Sequence, residues 1–427
     1  MRLTNTPTNK NNTFLGLSPA STAVLLGTIG LAAMSLLMMY AIDNAELPQS
    51  IVPDNIFRSQ SIFMLFAFGV MLVMRSINYQ RIGDLAYALF IFTLVLLTAV
   101  LVFGWIGQRV DFIGKIFPYV NGSCRWIRLP FFQIQPSEFI KITYILGLAR
   151  YLRYRKNYRQ FQGLLGPFAL TLLPMILILL EPDLGTVLLL LPILFIMIYA
   201  AGAKVRHLVA IIVLMIACVP VFFANMAPYQ RSRVVGVFLQ SAEVRTWLES
   251  HPKVKDYVYP DKDLKQWKNS VEGFHLLHAK TAIGTGGIIG NGYGKGVYLE
   301  GSRKLPECHN DFIFAIIAHQ FGFFGAAAVI LFYLIIATGL VEIAGKTAEP
   351  FGRLIAVGIL AILLIQAGVN IGMTLGLMPI TGLTLPFVSY GGSSLLTFFI
   401  LIGLALAIDR THPLQIGPKP FEFENDS

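Results

Sequence analysis

The sequence predicts an all-α integral membrane protein, a bundle of about ten transmembrane helices with one large extracytoplasmic loop. Composition is the first reason. Of 427 residues, 55% are hydrophobic and 13% are charged, and the mean hydropathy is +0.67. Soluble domains carry about a quarter charged residues, so a water-soluble chain of this length would lack the polar surface to cover its core. Aromatics at 12% argue equally against disorder. The second reason is that apolar stretches of spanning length recur between charges. The third is that Lys and Arg crowd alternate connections.

A bilayer core takes about 20 apolar residues per helix, fewer where flanking side chains snorkel. Stretches bounded by charges fall at 19–42, 59–76, 84–106, 135–150, 164–180, 184–203, 208–226, 312–340, 354–376 and 391–408. The fourth is the weakest, because Glu138 and Lys141 lie within it. An even number of spans puts both termini on one side. Basic connections (Arg75 and Arg81; Arg150, Arg153, Arg155, Lys156 and Arg159; Lys204 and Arg206; Lys346 and Arg353) alternate with 43–57, 181–183 and 377–390, which hold no Lys or Arg, and with 107–134, which holds a handful. The positive-inside rule then places both termini in the cytoplasm. The expected organisation is a tail at 1–18, a membrane domain at 19–410 with an external loop at 227–311, and a tail at 411–427. Residues 1–12 are polar and the apolar run from Phe14 to Ile42 exceeds a signal h-region, so no cleavable signal is expected.

The net charge of +10 reads as topology and as attraction to anionic membrane lipids, not nucleic acid. Cys124, Cys218 and Cys308 are odd in number without CxxC spacing, which indicates neither a disulfide framework nor a zinc site. In the long loop, Tyr229–Arg233 forms an aromatic and basic patch. Glycines crowd 284–287 and 290–296 without matching a Walker or dinucleotide pattern, so a turn-rich loop is expected there.

Ionisable residues in or beside membrane helices are expensive and mark candidate sites. Glu138 and Lys141, three apart on one helix face, either pair or leave a cation for an anionic group. Asp311 ends the long loop at the start of the eighth span, behind Glu307 and His309; it is either a helix cap or a base able to take a hydroxyl proton. His319, two turns further in, is expected to be a hydrogen-bonded bundle residue. The glycines and prolines of 376–394 preclude a continuous helix, leaving a wall of a buried cavity or a tight hairpin.

These residues carry a resemblance. Pro136–Lys141, Glu181–Thr186, Ala282–Gly287, Pro306–Phe314 and Gly382–Ser394 are similar, in order, to the motifs of the FtsW/RodA/SpoVE (SEDS) family, over about residues 20–410. The resemblance implies a ten-span peptidoglycan glycosyltransferase in the bacterial cytoplasmic membrane. It would polymerise lipid II beside a class B penicillin-binding transpeptidase, within the division or elongation complex. It implies Asp311 as the catalytic residue, with Arg125, Trp126, Lys141, Glu138, Glu307, His309, Ser389 and Tyr390 as substrate-binding candidates. Arg125 and Lys141 would clamp the departing diphosphate. No metal ligand or cofactor is indicated, although a divalent cation would suit the diphosphate. His319-Gln320 stands where the family usually has Glu-Glu, Phe274-His275 where it has Tyr-Gln, and 240–272 is longer than usual. The rival classes are a lipid II flippase, for which paired inverted repeats are expected, and a scaffold, which would tolerate replacement of Asp311.

Overall fold

The computed structural model describes residues 17–45, 47, 52–119, 123–129, 133–154, 161–226, 228–259, 264, 267, 270–301 and 305–411. The tails expected at 1–18 and 411–427 fall almost wholly outside them. In chain order the helices are α1 (Pro19–Asp43), α2 (Ile56–Ser76), α3 (Tyr79–Asp84), α4 (Ala86–Gly107), α5 (Asp111–Ile116), α6 (Pro136–Tyr154), α7 (Leu165–Leu180) and α8 (Leu184–Ala201). They continue as α9 (Val205–Asn225), α10 (Pro228–Gly236), α11 (Ala242–Ser250), α12 (Pro252–Val258), α13 (Val271–Gly286), α14 (Ile313–Lys346), α15 (Pro350–Thr374) and α16 (Gly392–Arg410). Two-residue strands β1 (Ile127–Arg128) and β2 (Gln133–Ile134) pair antiparallel, Ile127 opposite Ile134.

Each of the apolar stretches read from the sequence is helical, and among the described residues seven helices (α1, α2, α4, α8, α14, α15 and α16) are long and apolar enough to cross a membrane. Helix α7 and the apolar part of α9 are shorter. Helix α6 carries Glu138 and Lys141, yet most of its residues are buried. It is a central helix wrapped by others, which is where an ionic pair is tolerated in a membrane protein. Packing relies on close approach. A Cβ at Gly27 would meet the Phe332 carbonyl at 2.8 Å, and one at Gly339 the Ala20 carbonyl at 2.7 Å, so α1 and α14 meet backbone to backbone. Lipid offers no hydrophobic drive between helices, and small residues recover the attraction through contact.

Two features differ from the sequence reading. Segment 227–311 holds four helices, and Val235, Leu239, Leu248, Tyr259, Leu264, Trp267 and Leu276 form a small core of their own. The glycine-rich stretch is not a loose turn. Helix α14 breaks at Gly322 (φ 63°, ψ −152°), and the stretch closes the break. Phe323 N donates to the Gly287 carbonyl at 2.9 Å, and Asn291 N and Gly292 N donate to the carbonyls of His319 and Gln320 at 3.1 Å each. A Cβ at Gly290 would lie 2.0 Å from the Gln320 carbonyl oxygen, so only glycine permits the approach. His319 is fully buried, with Nδ1 2.9 Å from Thr285 Oγ1, a bundle residue as expected.

Candidate active site

Residues 307–311 form a tight turn at the head of α14. Glu307 takes a left-handed conformation (φ 53°), and its carbonyl accepts from Asn310 N at 3.1 Å and Phe312 N at 3.2 Å. The N-cap of α14 is Phe312, without a side-chain cap bond. Asp311 therefore does not cap the helix, and the capping alternative is corrected. Among the described residues no hydrogen bond holds its carboxylate. The side chain keeps partial exposure although protein surrounds it on nearly all sides. Burial, then the charge of Glu307, pushes its pKa up to about 7, with Arg233 pulling down and Asp183 pushing up. A base poised near neutrality is what proton abstraction requires.

The wall opposite this turn is 382–391. Gly382 (φ +73°) faces Asp311, and a Cβ there would lie 3.7 Å from Oδ2. Ser389 Oγ donates to the Asn310 carbonyl at 2.7 Å, and Leu385 N donates to Ser389 Oγ at 2.7 Å. Tyr390 N donates to the His309 carbonyl at 2.9 Å, with the two rings edge to face at 5.7 Å. His309 is buried, and burial lowers its pKa against the opposing pull of exposed Glu307. Gln60 Nε2 donates to the Ser389 carbonyl at 3.1 Å. Leu383, Leu385, Phe387 and Val388 are buried. The segment is buried in protein, and side chains supply the partners its irregular backbone needs.

The cations are placed unequally. Lys141 is 0% exposed; Nζ lies 2.6 Å from Glu138 Oε1 and donates to Gln366 Oε1 at 3.0 Å. It is enclosed in a buried ion pair, so it does not stand open as the clamp the sequence reading assigned. Arg125 is half-buried and donates Nε to the Glu181 carbonyl at 2.9 Å and Nη2 to the Pro182 carbonyl at 2.5 Å. Trp126 is half-buried beside it. The turn between α7 and α8 joins this cluster to the Asp311 turn. Its Asp183 caps α8 through Thr186 N at 3.2 Å and accepts from Ser137 Oγ at 3.0 Å. Glu181 is 1% exposed, and among the described residues neither carboxyl oxygen is hydrogen-bonded. Burial, then Asp183, pushes its pKa up to about 9, so it is a neutral acid at pH 7.

Four residues here were not named as site candidates from the sequence: Glu181, Arg233, Gln366 and Asn370. Arg233 lay in the noted basic patch, but nothing local linked it to Asp311. Gln366 and Asn370 were legible as amides inside an apolar span, a signal a search for charges alone overlooks. No group of three or more His, Cys, Asp and Glu side chains able to hold a metal ion occurs among the described residues.

A multi-pass helical bundle with a poised carboxylate under the influence of Arg233 defines a helical membrane protein with a candidate catalytic centre. The family model described as "Cell cycle protein", named for FtsW, RodA and SpoVE, matches residues 22–413, and the chain belongs to that family. It is 30% identical over 392 residues to "Probable peptidoglycan glycosyltransferase FtsW" of Geobacter sulfurreducens (strain DL-1 / KN400), covering 90% of this chain and 94% of that protein. It is 30% identical to "Peptidoglycan glycosyltransferase RodA" of Treponema pallidum (strain Nichols), covering 92% and 98%. A solved chain described under "Structural coordination of polymerization and crosslinking by a peptidoglycan synthase complex" superposes with a TM-score of 0.69 at 26% identity, covering 93% of this chain and 98% of that one. The crystal structure of Thermus thermophilus RodA superposes with 0.61 at 25% identity, with the same coverage.

Proposed function

We propose that this chain is a peptidoglycan glycosyltransferase that polymerises lipid II at the outer face of the bacterial cytoplasmic membrane. On this reading residues 19–410 are a ten-span domain, both termini are cytoplasmic and 227–311 is external. The observation that carries it is Asp311, a carboxylate with its pKa raised to about 7 in a rigid turn at a helix head, in a chain of this family.

The donor sugar is α-linked to a polyprenyl diphosphate and the product is β-linked, so one displacement with inversion suffices. Asp311 takes the proton of the acceptor 4-hydroxyl. The oxygen attacks the donor anomeric carbon, a new C–O bond forms, and the bond to the diphosphate breaks with its electron pair leaving on phosphate. No close nucleophilic carboxylate is required, unlike a retaining hydrolase. Positive charge at the departing diphosphate lowers the barrier. Arg125 and Arg233 suit that task by their bidentate forks, with Lys141 supporting the wall from beneath. The peptidoglycan synthase neighbour supports a class B transpeptidase as partner, in either division or elongation.

The test is polymerisation of lipid II by the purified chain, with and without a class B transpeptidase, read as glycan length on gels. Strand synthesis slowed by about 10²–10⁴-fold in Asp311→Asn is the expected result. Lipid II translocation across vesicles without strand synthesis would favour the flippase, and activity seen only from the partner would favour the scaffold.

A further inference from the structure

No hydrogen bond among the described residues holds the Asp311 carboxylate, so its aim depends on the backbone beneath it. That backbone is fixed from behind by α15. Asn370 is fully buried and donates Nδ2 to the Asp311 carbonyl at 2.9 Å and to the Leu383 carbonyl at 2.6 Å. Four residues earlier on the same helix face, buried Gln366 donates Nε2 to the Thr384 carbonyl at 2.9 Å and accepts from Lys141. The two amides thus grip consecutive carbonyls of the wall, and Asn370 alone also grips the turn.

We infer that Asn370 is a positioning residue for the reaction: one amide group sets the distance between the Asp311 turn and the Gly382–Leu383 wall. The inference rests on the reading of Asp311 as base. The residue type fits the task. An amide nitrogen carries two protons and can serve two carbonyls at once, whereas a hydroxyl carries one. Its Oδ1 is buried and has no partner among the described residues, so the side chain serves as a double donor. Without it both carbonyls lose a buried donor and the Asp311 end of the turn loses its tie to the wall, while Ser389 and Tyr390 still hold only Asn310 and His309. Displacement of a reacting group by about 1 Å can cost ~10²-fold in rate.

The test uses the full chain in lipid II polymerisation, comparing wild type, Asp311→Asn, Asn370→Leu and the double variant. Asn370→Leu is expected to fold, to lose about 10²-fold in kcat and to hold KM within about threefold. If Asn370 acts through Asp311, adding Asn370→Leu to Asp311→Asn slows the enzyme no further, the non-additivity of groups that work as a unit. Multiplied losses in the double variant, or a wild-type rate in Asn370→Leu, would overturn the inference. Should Asn370→Leu not fold, Asn370→Ser retains one donor and takes its place. Failure of both to fold would assign Asn370 to stability alone and overturn it too. An inactive wild type, or an active Asp311→Asn, would instead fell the underlying reading of Asp311, a result separable from the others in the same assay.

Discussion

Replacing Asp311 by Asn should kill the enzyme and steady the protein. The carboxylate makes no hydrogen bond among the described residues, and only the Asp311 carbonyl, which Asn keeps, is held by Asn370. Folding therefore loses nothing obvious. The ionised form, by contrast, is disfavoured in the fold, since burial raises the pKa from 3.8 to about 7. With the folded pKa above the unfolded one, the native state holds the proton longer, so stability falls as pH rises from about 4 to about 7. A shift of this size caps the loss at ~4 kcal/mol, and partial exposure of the side chain reduces it to about 1–2 kcal/mol. Asn does not ionise and escapes the loss. Asp311→Asn should thus match wild type near pH 4 and melt higher at pH 8, while polymerisation falls by about 10²–10⁴-fold, the worth of a general base. Wild-type turnover should follow an acid limb with its midpoint near 7. The assays are thermal unfolding in detergent across pH 4–9 and lipid II polymerisation. Substantial strand synthesis by the variant, or a melting temperature below wild type at pH 8, would refute the assignment.

Three further outcomes are expected. Lys141→Met should leave Glu138 buried and unpaired at a cost of about 3–5 kcal/mol, whereas Glu138→Leu with Lys141→Met should restore folded yield; a double variant no better folded than the single would refute the ion pair as the source of the loss. Arg233→Ala should leave the melting temperature nearly unchanged and lower kcat/KM for lipid II by about 10–100-fold, as for a lost charged hydrogen bond, with Lys a poor rescue; unaltered kcat/KM would remove Arg233 from the clamp. Glu181 has a folded pKa raised to about 9 from 4.5, so its contribution to stability is lost as pH rises through that window. Glu181→Gln should therefore fold as wild type at pH 6 and outlast it at pH 9.5, and equal melting curves at both pH values would contradict a buried neutral acid.

Much of this protein is written in one dimension. Apolar runs between charges located the membrane helices, because bilayer thickness sets their length, and alternating Lys and Arg gave the expected orientation. Asp311 stood out because an ionisable group at a membrane helix is costly unless it serves a purpose. The glycines of 284–296 were visible but their purpose was not, since a glycine that lets two backbones meet looks locally like one that makes a turn. Lys141 shows the limit most clearly. Three residues from Glu138 on one helix face, it could equally have paired with it or stood open to a phosphate. The packing of α6 against α15 decided it, because Gln366 closes over the side that Glu138 leaves open. Likewise Asn370 lies 59 residues from the turn it holds, and Arg233 acts on Asp311 from another helix. The sequence by itself determined which residues must be in the membrane and which are too costly to be idle, because desolvation acts on each side chain alone. Which of those groups face one another, and which remain open to a substrate, depends on distances between helices, and these exist only once the bundle is packed.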